Sequence, residues 1–79
     1  MAVYCLDDLD PAMEFENRYD LVRYLMANVD VGEQIVVKCV PTFENIIISH
    51  SRTGWVAASE SDSQVIVELL IEAFNRLTI

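Results

Sequence analysis

The stretch Gln34–Ala58, QIVVKCVPTFENIIISHSRTGWVAA, decides how this chain folds. Its opening run, Gln34-Ile35-Val36-Val37-Lys38-Cys39-Val40, is rich in β-branched residues and stops at Pro41, which has no N–H to offer a ladder. Asn45-Ile46-Ile47-Ile48-Ser49-His50 is a second strand. Ser51-Arg52-Thr53-Gly54 then reads as a hairpin turn, with Gly54 able to take positive φ before Trp55-Val56-Ala57-Ala58. Parallel crossovers need about a dozen residues or more, and these connections are shorter, so the three strands form an antiparallel meander over about 34–40, 45–50 and 55–58.

Beyond the meander, Ser59-Glu60-Ser61-Asp62-Ser63-Gln64 is dense in capping residues, with Ser61 and Gln64 at capping-box spacing. A helix over about 62–77 follows. Its apolar positions cover far more than the roughly 100° stripe of a surface helix, and only Glu68, Glu72, Asn75 and Arg76 make a polar face. Such a helix either lies between two layers or keeps an apolar side for another chain, the residues for that contact being Val67, Leu70, Ile71 and Phe74.

On the N-terminal side, Val22, Leu25, Met26 and Val29 line one face of a helix over about 18–28, with Tyr19 a turn earlier and Val31-Gly32 closing it. Residues 12–16 read two ways. Asp10-Pro11 resembles a helix start, whereas Met13-Glu14-Phe15-Glu16 alternates like a half-buried strand and Asn17 with Asp20 offers a later cap; the strand is preferred. Ala2–Leu6 is a further short strand before the turn-forming Asp7-Asp8-Leu9-Asp10-Pro11. The fold class is α+β: a three- to five-stranded antiparallel sheet with two helices, in one small acidic domain spanning 1–79.

Thirteen Asp and Glu stand against five Lys and Arg in 79 residues, a net charge of −8. With 53% hydrophobic residues the chain is too apolar for an acidic disordered tail and is expected to bury a core. An acidic body repels phosphate backbones and anionic membranes and is drawn to basic protein surfaces, which excludes direct nucleic-acid and membrane partners. Met1-Ala2-Val3-Tyr4 carries no basic region ahead of a long apolar run, and no stretch reaches the roughly 18 apolar residues of a membrane span. A cytoplasmic location is expected, with Cys5 and Cys39, each inside a strand-like run, as reduced core thiols.

Catalytic and metal signals are weak. Cys39 and His50 are the one thiol and imidazole that neighbouring strands could bring together, but Cys39 should point with Val37 into the core while His50 lies near a hairpin end. One His and two separated Cys build no typical zinc site; Asp7-Asp8-Leu9-Asp10 lacks the glycine turn and the terminal Glu of a calcium loop; the two glycines make no phosphate cradle. No enzyme, no metal and no cofactor are expected.

The acidic cluster is the stronger feature. Within the first 20 residues Asp7, Asp8, Asp10, Glu14, Glu16 and Asp20 face a single basic residue, Arg18. Carboxylates held a few ångströms apart on a scaffold imitate a run of phosphates and compete for Lys and Arg; the plainer reading is a solvated face that keeps an apolar protein soluble. Trp55 and Phe43 flank turns and are candidate aromatic anchors.

The order helix, three antiparallel strands, helix over residues 18–77 is similar to that of the double-stranded RNA-binding domain. Such domains hold phosphates through lysines at the start of the last helix, where this chain has Ser59-Glu60-Ser61-Asp62-Ser63, so RNA binding is not implied. As a short, acidic, motif-free α+β domain, the chain also looks like the small inhibitors that phages and mobile elements direct at host nucleases, including anti-CRISPR and anti-restriction proteins. Two expectations result. The first is a non-enzymatic inhibitor or adaptor that docks through the acidic cluster on a basic surface of a nucleic-acid-processing complex, as a DNA mimic would. The alternative is a structural or regulatory homodimer assembled through Val67, Leu70, Ile71 and Phe74.

Overall fold

The computed structural model describes residues 3–7, 9, 11–40, 43–60 and 64–78. The elements run β1 (Val3–Leu6), β2 (Met13–Phe15), α1 (Arg18–Asn28), β3 (Gln34–Val40), β4 (Glu44–Ser51), β5 (Gly54–Ser59) and α2 (Gln64–Leu77). All five strands form one antiparallel sheet in the order β2-β1-β3-β4-β5. The meander is therefore β3-β4-β5, and the two N-terminal strands extend it from the β3 side. Residues 13–15 are a strand, as the alternation of Met13, Glu14 and Phe15 requires.

Local chemistry sets the boundaries. Asn17 caps α1, its side-chain Oδ1 accepting from the Tyr19 N–H at 2.8 Å. After α1, Asp30–Glu33 makes a turn closed by the Glu33 N–H donating to the Asp30 carbonyl at 3.0 Å, with Gly32 at φ +93° in its third position. The turn between β4 and β5 has two residues, Arg52 and Thr53, between the paired Ser51 and Gly54. The capping residues Ser61 and Asp62 lie outside the described residues.

Both helices cover one face of the sheet. Tyr4, Leu6, Val37, Cys39, Ile46 and Ile48 point to that side and meet Leu21, Val22, Leu25 and Val29 of the α1 segment and Val67, Leu70, Ala73 and Phe74 of α2, all buried. α2 packs against both β5 and α1, which explains the width of its apolar arc: one part serves the sheet and another the neighbouring helix. The side chains expected at an interface, Val67, Leu70, Ile71 and Phe74, all pack within the chain. Val67, Leu70 and Phe74 are only 8%, 0% and 2% exposed within the chain's own core, and Ile71 packs against that core. The large apolar side chain α2 does leave in solvent is Val65.

Candidate functional site

Among the described residues, no helix covers the second face of the sheet. Strand alternation brings to it Val3 and Cys5 from β1, Glu14 from β2, Val36, Lys38 and Val40 from β3, Asn45, Ile47 and Ser49 from β4, and Val56 and Ala58 from β5. The cross-strand register groups them into rows. One row is polar and runs Glu14, Cys5, Lys38, Asn45, ending at Glu60, whose carboxylate accepts from the Asn45 amide at 3.4 Å. The next is apolar and runs Val36, Ile47, Ala58. The apolar strip is thus bordered by carboxylates.

At the β1 end, Cys5, Asp7, Val36, Lys38 and Asn45 line a shallow cleft of about 310 Å³. Lys38 Nζ lies 3.3 Å from Asp7 Oδ2, so this cation answers a carboxylate of its own chain. Cys5 is buried, but on this side of the sheet and apart from the main core. Burial raises its thiol pKa, the Glu14 and Asp7 carboxylates raise it further, and Lys38 opposes them. Both acids therefore lie close enough to act on one sulfur.

Of the six acidic positions read from the sequence, the four described do not share one face. Asp7 and Glu14 converge on the uncovered face around Cys5. Glu16 is exposed in the bend before α1, and Asp20 sits on the helical layer, paired with Arg23 at 3.1 Å. Glu14 and Glu16 meet no basic side chain among the described residues. Asp8 and Asp10 lie outside them. The sequence reading passed over Val36, Asn45 and Ile47. Their signal was present in the alternation of β3 and β4, but which parity faces solvent depends on where the helices settle.

The thiol and imidazole are kept apart. Cys39 opposes Glu44 in register, whereas His50 is six residues farther along β4, about 20 Å at the usual rise. Burial, then the neighbouring Glu44 and Cys5, push the Cys39 thiol up to about 11. His50 is engaged otherwise: Nδ1 donates to the Val29 carbonyl at 2.9 Å, its ring stacks on Trp55 at 4.0 Å, and Trp55 stacks on Phe74 at 4.5 Å. Trp55 is thus a half-buried packing residue, while Phe43 stands 68% exposed at φ +58°. Among the described residues no group of three or more His, Cys, Asp or Glu is placed to hold a metal, and no helix is long and apolar enough to cross a membrane.

Comparison with known proteins finds no match, whether to a family model, a curated protein or a solved structure. The likeness to the double-stranded RNA-binding domain stays one of element order.

Proposed function

We propose that the chain is a non-enzymatic, acidic protein-binding inhibitor or adaptor that docks on a basic surface of a nucleic-acid-processing complex. The observation that supports it is the uncovered sheet face, apolar along Val36, Ile47 and Ala58 and edged by the carboxylates of Asp7 and Glu14, with Glu16 beyond them. Burying the apolar strip supplies affinity; the carboxylates meet Lys and Arg that otherwise hold phosphates. Asp20, on the other layer, drops out of this contact.

The test is capture of interacting proteins from a cell lysate by the wild type and by a variant with Asp7→Asn, Glu14→Gln and Glu16→Gln, with nucleic acid added as competitor. The reading requires a nucleic-acid-binding protein that the wild type retains, that competitor displaces, that rising salt weakens, and that the variant loses. Capture unchanged by both competitor and variant overturns it.

A further inference from the structure

The two edges of the sheet are built differently. The β2 edge has only the three residues Met13–Phe15, Pro11 stands just ahead of it, and Glu14 and Glu16 charge it, all devices that discourage another strand from pairing. The β5 edge has none of them: Gly54–Ser59 is six residues long with no charge and no proline. The Glu60 N–H donates to the Asn45 carbonyl at 3.1 Å, in phase with the pairs Ser51–Gly54, Ser49–Val56 and Ile47–Ala58. Even-numbered residues of β5 therefore bond to β4, and the N–H and C=O of Trp55 and Ala57 point away from the sheet. Among the described residues, no backbone partner meets them.

We propose that a second copy of this chain pairs antiparallel with β5 about a two-fold axis through Val56, joining two five-stranded sheets into one of ten strands. The choice of a second copy rests on charge. Arg52 and Glu60 stand at opposite ends of the uncharged strand, so an antiparallel copy centred on Val56 sets Arg52 beside the partner's Glu60, and the symmetry repeats the pair. Hydrogen-bond parity agrees, since outward-facing residues must oppose one another. Trp55 then exchanges both its backbone bonds with the partner's Ala57, a large side chain against a small one, and the 55%-exposed Val56 meets its own copy in a non-hydrogen-bonded pair. The axis is perpendicular to the sheet, so the two uncovered faces lie on one side. At nine strand spacings, their Glu14 edges stand roughly 43 Å apart.

The register makes the test specific. Paired Cα atoms at the axis are about 4.5 Å apart, within disulfide reach, whereas Ala58 and its copy are offset by roughly 14 Å. Under mild oxidation Val56→Cys should give covalent dimers roughly tenfold faster, or better, than Ala58→Cys, whose sulfurs cannot meet. Ala57→Pro removes an N–H that β4 does not use and should leave a folded monomer by circular dichroism and sedimentation. Should that variant fail to fold, charge exchange replaces it: Arg52→Glu should weaken self-association about tenfold, and adding Glu60→Arg should restore it. A wild type that sediments as a monomer at high micromolar concentration overturns the proposal, as it would if a foreign peptide were the strand this edge accepts. Equal cross-linking of Val56→Cys and Ala58→Cys, or no restoration by the exchange, overturns it too.

Discussion

Raising the pH should weaken the fold in part through the Cys39 sulfur. The side chain is 1% exposed in the core, and its pKa rises from 9.0 to about 11. A thiol whose pKa is higher folded than unfolded favours the protonated folded state. Its stabilising share is complete below pH 9 and disappears as pH climbs toward 11, where the unfolded chain has lost the proton and the folded chain still holds it. The loss amounts to about 1.4 kcal/mol at pH 10 and about 2 kcal/mol at pH 11 relative to pH 8. A chain of this length is expected to have only about 4–12 kcal/mol in total, so the effect is measurable. Tyr4, paired with Cys39 across β1 and β3 and itself raised by burial and then by that thiol, contributes with the same sign. The assay is urea denaturation of wild type and Cys39→Ala from pH 8 to pH 11. The wild type should start more stable, because Ala leaves a small void, and its advantage should shrink by about 2 kcal/mol across the range. An advantage that stays constant refutes the argument. At pH 7 such a thiol is thiolate in roughly one molecule in ten thousand, so Cys39 should also ignore disulfide reagents unless the chain is unfolded.

On α2, Leu70→Ala should cost about 2–5 kcal/mol by urea denaturation because Leu70 is wholly buried, whereas Val65→Ala should stay within about 0.5 kcal/mol. That contrast separates the consumed side of the helix from the one left in solvent. Gly32→Ala should cost about 1–2 kcal/mol by the same assay, entirely through its φ of +93°, since an added Cβ meets nothing within 4 Å.

Much of the architecture was legible along the chain. β-Branched runs ending at Pro41 and at the turn before Gly54 specify β3, β4 and β5, because strand period and turn chemistry are local properties. Asn17 announces α1, and the alternation Met13-Glu14-Phe15 outweighs the helix-start signal of Asp10-Pro11 because a three-residue edge strand needs little more than one apolar side. The place of β1, between β2 and β3, has no such signature, since a short antiparallel strand can join either edge of a meander.

The site was less legible for the same reason. Sequence order crowded Asp7, Glu14, Glu16 and Asp20 together, yet α1 carries Asp20 to the helical layer while β1 and β2 leave Asp7 and Glu14 beside Cys5. The wide apolar arc of α2 allowed either burial between layers or a spare side, and the packing of α1 and β5 against α2 accounts for Val67, Leu70 and Phe74 within the chain. The amino-acid sequence by itself determined the elements and the acidic charge, because propensity, periodicity and composition act within a few residues. Only the tertiary structure decided which sheet face stays uncovered, which edge lacks protection and which apolar residues are already spent. Those depend on contacts between segments far apart in the chain, which local pattern does not encode.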